Sequence, residues 1–208
     1  MNMDHKLELF DKINTSLLDY EKPSIFLSRL SGHLFETSNP FVMLSRLKKI
    51  RQPPRYHPEG SVWKHTLLVV DEAAKRKHQS TDSRAFMWAA LLHDIGKSAT
   101  TKIRKGRITA YDHDKAGAEM AREFLLEFET EPFISKVAAL VRWHMQILYV
   151  TKDSRFADLD AMRKEADVRD VALLGLCDRI GRKGADIRAE EQTINDFLRK
   201  AELSDRKE

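Results

Sequence analysis

The sequence contains a single cysteine, Cys177, and nowhere do about 18 uncharged apolar residues follow one another. One cysteine excludes an internal disulfide and a thiolate zinc cluster, so any metal must be bound by histidine and carboxylate side chains. The N-terminal segment MNMDHKLELFDK has no apolar stretch of signal-peptide length. We therefore expect a cytoplasmic protein without a membrane partner.

Glycine and proline are also scarce, with eight and six residues in a chain of 208. Because these residues interrupt helices, and because apolar residues recur at steps of three and four, the pattern predicts an all-α protein. The clearest interruption is RQPPRYHPEG at residues 51–60, where paired prolines and a glycine oppose a helix. We place a domain boundary there, with a helical appendage at residues 1–50 and the main domain at residues 51–208.

A second interruption lies at residues 98–112, where short alternating arms flank Lys105 and Gly106. This pattern predicts a loop or a small hairpin. The segment KIRKGR within it, residues 102–107, carries four positive charges, which suit the backbone of a nucleotide or an RNA end but are equally typical of a solvated loop. The formal net charge of +4 is a mild bias that favours phosphate-bearing ligands.

Two central helices are predicted from their capping residues. Ser61 is placed to cap the first of them. Asp82 is placed to cap the second, whose apolar run FMWAALL leads into His93 and Asp94, and Gly96 is a natural stop for it. The adjacent histidine and aspartate would approach one ion together only near a helix end, and the glycine supplies that position.

Asp178 and His144 also lie on helical stripes that are otherwise apolar. Because an unpaired buried charge costs several kcal/mol, Asp94 and Asp178 both require a partner. His65 and His93 lie in similar apolar surroundings. Imidazoles and carboxylates that converge on one point form a nitrogen and oxygen site suited to zinc, manganese, iron or nickel, and spacing alone does not choose among these metals.

Five segments together resemble the HD superfamily of metal-dependent phosphohydrolases in order, spacing and flanking residues. They are WKHTLLVVDEA, WAALLHDIGK, GRITAYDHDKAGAEMA, LVRWHM and LLGLCDRIGRKGAD, and the resemblance covers roughly residues 56–188. The stretches HPEGSVWKHT and DHDKAGAEMA look most like the HD domains attached to bacterial tRNA nucleotidyltransferases of the CCA-adding type. The resemblance implies an HD-domain helical bundle.

The same resemblance implies a divalent metal, which would be manganese, nickel, cobalt, iron or zinc. The residues that it assigns to the first metal ion are His65, His93, Asp94 and Asp178. Asp94 would be able to bridge to a second ion, since His113 and His144 match the extra histidines of the two-metal members. A structural role for these two histidines, as helix-cap or hydrogen-bonded core residues, stays open.

The reaction implied by the resemblance is hydrolysis of a phosphate mono- or diester, from a nucleotide, a cyclic nucleotide or a 2′,3′-cyclic phosphate. Asp94 and Lys97 are the candidate catalytic residues. Lys97, Arg179 and Arg182 are candidates for binding the phosphate, because cationic side chains next to a metal stabilise phosphoryl oxygens. Positive charge at the end of a helix is an alternative explanation for the two arginines.

Two other hypotheses fit the same residues. The first is a metal-holding module that binds RNA or a signalling nucleotide without turnover. The second is a di-iron oxygenase, a chemistry that some members of the HD superfamily use, and iron content with oxygen consumption would identify it.

The remaining polar and aromatic residues receive supporting roles. His57 and Glu59 match a pattern of the resembling family and are candidates for positioning the metal ligands. The three tryptophans could stack on a base, but their apolar helical context favours the core; they are Trp63, Trp88 and Trp143. The other histidines are interpreted as surface or structural residues; they are His5, His33 and His78.

Overall fold

A computed structural model describes residues 3–31 and 38–205, and within these ranges the chain is almost entirely helical. His33 lies outside the described residues. The helices are α1 (Met3–Asp19), α2 (Pro23–Leu30), α3 (Val42–Arg46), α4 (Val62–Arg76), α5 (Ser83–Leu92), α6 (Lys97–Thr100), α7 (His113–Leu125), α8 (Glu131–Trp143), α9 (Gln146–Thr151), α10 (Leu159–Glu165), α11 (Val168–Ile180) and α12 (Ile187–Asp205). Single 3-10 turns follow α3 and α4, at Leu47–Lys49 and Lys77–Gln79. The all-α prediction is confirmed.

The interruption after the HD pair contains a small antiparallel sheet of strands β1 (Lys102–Arg104) and β2 (Arg107–Thr109). Lys105 and Gly106 join the strands with positive φ angles of 48° and 76°. Two consecutive residues with positive φ form the hairpin turn whose twist matches that of the paired strands. The structure therefore contains the hairpin that the sequence predicts as one of two possibilities.

The predicted capping residues begin their helices as expected. The side chain of Ser61 accepts a hydrogen bond from the amide of Lys64, and that of Asp82 accepts one from Ala85. Gly96, however, does not end α5, which stops at Leu92. α5 therefore ends earlier than predicted, and after a turn through residues 93–96 the chain continues as α6.

One hydrophobic core includes the N-terminal helices. Phe10 of α1 stacks on Trp88 of α5, with ring centroids 4.6 Å apart, and also on Phe128 at 4.5 Å. All three tryptophans are buried, as their helical context predicts. The division at residue 51 stays a prediction, although both sides of it contribute to this core. Among the described helices, none is both long and apolar enough to cross a bilayer.

Candidate metal centre

The carboxylate of Asp94 lies at the middle of four histidine side chains and is 1% exposed. One oxygen, Oδ2, is 3.4 Å from Nε2 of His93 and 4.0 Å from Nε2 of His65. The other oxygen, Oδ1, is 3.4 Å from Nε2 of His113 and 3.9 Å from Nε2 of His144. The two oxygens of a single aspartate thus face two separate pairs of imidazoles, and each pair with Asp94 forms a group whose ligand atoms lie within 4.8 Å of one another.

Helix ends bring these residues together. His93 and Asp94 follow the last residue of α5, His113 is the first residue of α7, and His144 follows the last residue of α8. Only His65 lies inside a helix, in the first half of α4. The side chains converge because the ends of α5, α7 and α8 and the first half of α4 meet around the aspartate.

Close backbone contact sets the distance between the HD turn and α7. A Cβ atom on Gly96 would lie 2.1 Å from the carbonyl oxygen of His113 and 2.5 Å from the backbone nitrogen of Gly117. Both atoms belong to the backbone, so they could not move aside as the end of a flexible side chain could. The absence of a side chain at residue 96 therefore lets Asp94 approach His113.

A backbone carbonyl fixes the ring orientation of three of these histidines. Nδ1 of His93, His113 and His144 lies between 2.7 and 2.9 Å from the carbonyl oxygen of the residue three positions earlier in the chain. Since a carbonyl can only accept, each Nδ1 carries a proton, and Nε2 is the ring nitrogen that faces Asp94. Histidines that bind metals in proteins are usually oriented in this way.

His65 is held by carboxylates on both edges of its ring. Nε2 lies 2.9 Å from Oδ1 of Asp178, and Nδ1 lies 3.0 Å from Oε1 of Glu59, although the second contact is poorly aligned as a hydrogen bond. The same Glu59 oxygen is 2.9 Å from Nδ1 of His57. Asp178 reaches the cluster through His65 and belongs to neither of the groups around Asp94.

Burial and neighbouring charges shift the pKa values of the carboxyl groups. Burial alone would raise the pKa of Asp94, but the charges of Lys97 and His93 lower it well below its usual range. Burial also opposes ionisation of Asp178, yet Arg182 and His65 lower its pKa in the same way. Both groups are therefore carboxylates at neutral pH, the form that binds cations.

Two histidines of the site have strongly lowered pKa values. Burial and the charges of His113 and His93 lower the pKa of His144 to about 3. Burial and the charge of Lys97 lower that of His57 to about 4. His65 differs, because its bonds to Asp178 and Glu59 outweigh burial and raise its pKa. A neutral imidazole is the form that binds a metal, and His144 has this form throughout the physiological range.

These side chains fit a divalent cation. Nε2 of His93 is buried and has no hydrogen-bond partner among the described residues. A buried nitrogen in this state loses the free energy of a hydrogen bond unless something else occupies its lone pair. Nitrogen and carboxylate oxygen ligands without sulfur suit manganese, iron, cobalt, nickel or zinc.

A cavity of about 640 Å³ opens onto the cluster. Its lining includes the polar residues Asp94, His113, His144 and Asp178 and the three cationic candidates Lys97, Arg179 and Arg182. Nζ of Lys97 donates to Oδ2 of Asp94 at 2.6 Å. The two arginines already have carboxylate partners, because Arg182 donates to Asp178 at 3.1 Å and Arg179 to Glu190 at 2.8 Å.

One polar residue of this cavity has no counterpart in the sequence-based assignments. Gln52 is 3% exposed, and its Oε1 accepts a hydrogen bond from Lys97 at 2.7 Å. No local pattern around a glutamine in a proline-rich loop indicates such a contact, since the partner is 45 residues away. His5 and His78 are exposed and lie outside the cluster, whereas Cys177 is buried with a pKa raised to about 12 by burial.

Comparison with known proteins gives a consistent family assignment. The family model of the HD domain matches residues 62–183. The multifunctional CCA protein of Actinobacillus pleuropneumoniae serotype 5b (strain L20) is 30% identical over 159 residues, which are 73% of this chain and 38% of that protein. The protein of the same name from Halorhodospira halophila (strain DSM 244 / SL1) is 32% identical over 159 residues, 73% of this chain and 36% of the relative.

A longer match is found in Pseudomonas fluorescens (strain SBW25), whose multifunctional CCA protein is 27% identical over 198 residues. These are 91% of this chain and 46% of the relative. The chain therefore spans less than half the length of the curated relatives that it matches. The resemblance stated from sequence motifs is confirmed by these comparisons.

Proposed function

The chain belongs to the HD-domain family, and on this premise we propose that it hydrolyses a phosphate mono- or diester with the help of divalent metal ions. The observation that carries the proposal is the position of Asp94, whose two oxygens each face a different pair of histidine Nε2 atoms. One carboxylate between two pairs of imidazole nitrogens is suited to bridge two cations. A purely structural histidine cluster would have no need of ring nitrogens without partners, such as Nε2 of His93.

The proposed metal ligands form two sets that share Asp94. The first set is His65, His93, Asp94 and Asp178, and the second is Asp94, His113 and His144. A divalent ion in such a site lowers the pKa of water and polarises a phosphoryl oxygen. Lys97, whose ammonium group contacts Asp94, would stabilise negative charge on the phosphate, and Arg182 would hold Asp178 in place as well as contribute charge.

The substrate that we propose is a nucleotide, a cyclic nucleotide or a 2′,3′-cyclic phosphate. A cavity of about 640 Å³ lies within the size range of pockets for small organic ligands. The cavity wall also includes the apolar side chains of Ile108, Met145 and Leu148 and the ring of Tyr56. A planar base would pack on this wall while its phosphate reaches the histidines and Lys97.

The end of an RNA strand is a second candidate substrate, and the hairpin favours it. Ile103 and Ile108 are paired across the strands and share one face, of which Ile108 lines the cavity. Lys102, Arg104 and Arg107 project from the opposite face, are exposed, and form no ion pair within the described part of the chain. These charges would meet phosphates outside the cavity, which an oligonucleotide has and a mononucleotide lacks.

Substitutions in the hairpin distinguish between the two candidate substrates. The double variant Arg104→Gln/Arg107→Gln should weaken binding of an RNA oligonucleotide and reduce its salt dependence while leaving turnover of mononucleotides unchanged. Equal effects on both ligands would remove the RNA candidate.

Elemental analysis and a substrate panel test the proposed function directly. The purified protein should contain a divalent transition metal and hydrolyse a phosphomonoester or phosphodiester when Mn²⁺, Ni²⁺, Co²⁺ or Mg²⁺ is added. Asp94→Ala should lose this activity and keep its helical circular dichroism, whereas Asp160→Ala, which changes an exposed aspartate, should behave as the wild type. Full metal occupancy without hydrolysis of any phosphate ester would refute the proposal, and iron with oxygen consumption would indicate an oxygenase.

A further inference from the structure

Gln52 is fixed in the cavity by the loop that precedes α4. Its backbone N–H donates to the carbonyl oxygen of Gly60 at 3.1 Å, and Arg51 pairs with Ser61 in an isolated antiparallel bridge. The backbone of residue 52 is therefore held between the two ends of the loop. Its side chain is buried and forms part of the cavity wall next to Lys97.

Only one of the two polar atoms of this side-chain amide has a hydrogen-bond partner among the described residues. Oε1 accepts the hydrogen bond from Nζ of Lys97, but Nε2 is buried and has no partner among the described residues. Rotating the amide by 180° would not repair this, because Nε2 would then face an ammonium group, which can only donate. Lys97 thus determines which end of the amide remains without a partner.

Lys97 also has a hydrogen-bond donor without a side-chain acceptor. Its ammonium group has three hydrogens, and the side chains of Asp94 and Gln52 accept two of them, at 2.6 and 2.7 Å. One hydrogen of Lys97 and the amide hydrogens of Gln52 are therefore donors without a side-chain acceptor. Both belong to groups that line the same cavity as Asp94.

We propose that Nε2 of Gln52 donates a hydrogen bond to a non-bridging oxygen of the substrate's phosphate, which makes Gln52 a substrate-binding residue of this site. The inference rests on the proposed function and extends it by one residue. A phosphate supplies several strong acceptor oxygens, and the positive charge of Lys97 favours an anion beside this amide. A buried donor without a partner loses free energy that such a ligand would restore.

A role limited to holding Lys97 is the competing explanation. The neutral variant Gln52→Met, of similar length, removes the amide, but it would weaken phosphate binding under either explanation. The same substitution in a Lys97→Met background distinguishes them, since no ammonium group is left to be held there. The matched control is Gln192→Met, which changes an exposed glutamine on α12.

The measurement is the dissociation constant of inorganic phosphate for the Mn²⁺-loaded protein, determined by isothermal titration calorimetry. Metal content and circular dichroism of each variant are recorded alongside it. Gln52→Met should raise the dissociation constant about tenfold in the wild type and by a similar factor in the Lys97→Met background, as expected for a lost hydrogen bond to a charged group. Gln192→Met should leave the constant unchanged.

Equal dissociation constants for Lys97→Met and the Gln52→Met/Lys97→Met double variant would overturn the inference, as would a wild type that binds no phosphate. A wild type that binds phosphate and hydrolyses no ester would refute the proposed function alone. The loss in both backgrounds, with metal content retained, supports the role of Gln52 whether or not turnover is found.

Discussion

Oε1 of Glu59 lies 3.0 Å from Nδ1 of His65, at the edge of the imidazole ring that faces away from Asp178. For the other three histidines around Asp94 a backbone carbonyl occupies the corresponding position. His65 is the only one of the four inside a helix, where the backbone carbonyls are bonded within the helix, and Glu59 takes their place. Burial would raise the pKa of Glu59, but its bonds to His65 and His57 lower it to about 2, so the group is a carboxylate.

Replacing Glu59 should therefore weaken metal binding although no proposed ligand is substituted. We expect Glu59→Gln to lower the affinity for the metal by about 10- to 100-fold, because loss of an outer carboxylate leaves a ligating histidine less basic and less well oriented. Competition with a chelator measures this affinity. Glu72→Gln is the control, since Glu72 lies on α4 with His65 and pairs with Lys75 and Arg76. Equal affinities for both variants would contradict the role of Glu59.

The number of metal ions bound per chain should show whether each of the two histidine pairs around Asp94 binds an ion. We expect two ions per chain in the wild type and one in His144→Ala, because this substitution removes a donor facing Oδ1 and leaves the donors facing Oδ2 in place. Elemental analysis after dialysis against the metal gives the ratio. A wild type with one ion, unchanged in His144→Ala, would show that the second pair is structural.

The metal-free protein should lose stability as the pH falls below about 6.5. His57 and His144 have pKa values near 4 and 3 in the folded chain and about 6.5 in the unfolded chain, so the unfolded chain takes up their protons first. Each residue then lowers the free energy of unfolding by up to about 1.4 kcal/mol per pH unit between pH 6.5 and its folded pKa. His65, whose folded pKa is raised, has the opposite effect, stabilising the fold at low pH and losing that contribution as the pH rises.

Urea unfolding of metal-free protein between pH 5 and 7 tests this expectation. His57→Gln should reduce the slope of unfolding free energy against pH by up to about 1.4 kcal/mol per unit, since one titrating group is removed. A slope identical to that of the wild type would show that the pKa of His57 is the same in the folded and the unfolded chain.

A side chain at residue 96 should disturb both the fold and the metal centre. Gly96→Ala should cost about 1–3 kcal/mol or more, because its Cβ would overlap backbone atoms of His113 and Gly117 that cannot move independently. Gly184→Ala is a useful comparison, since that Cβ would meet no atom within 4 Å and only the positive φ of 82° opposes it. Thermal unfolding and metal stoichiometry of both variants give the result, and an equal loss for the two would argue against the close contact.

Local sequence signals predicted much of this fold. The caps at Ser61 and Asp82 and the turn at Lys105 and Gly106 depend on interactions within a few residues, and the structure contains all three. The end of α5 was wrong by several residues because Gly96 is required for contact with α7, and such a contact leaves no trace in the neighbouring sequence.

The candidate site could be predicted as a set of residues but not as an arrangement. The HD motif singled out His93 and Asp94, and the structure places His65 beside them and Asp178 in contact with His65. Their role as ligands stays a prediction. That Oδ1 and Oδ2 of Asp94 face different histidine pairs follows only from how α4, α7 and α8 meet. Gln52 was missed for the same reason, since its importance depends on Lys97.

The stacking of Phe10 on Trp88 has a practical consequence for isolating the HD domain. A fragment trimmed to residues 62–183, the stretch matched by the family model, would lack Phe10 and also Phe41, whose ring meets that of Phe124 edge-on. The rings of Trp88 and Phe124, which are buried in the intact chain, would then be partly exposed to water. We therefore expect the shortest fragment that folds to be longer than the stretch matched by the family model, so expression trials should begin upstream of residue 10.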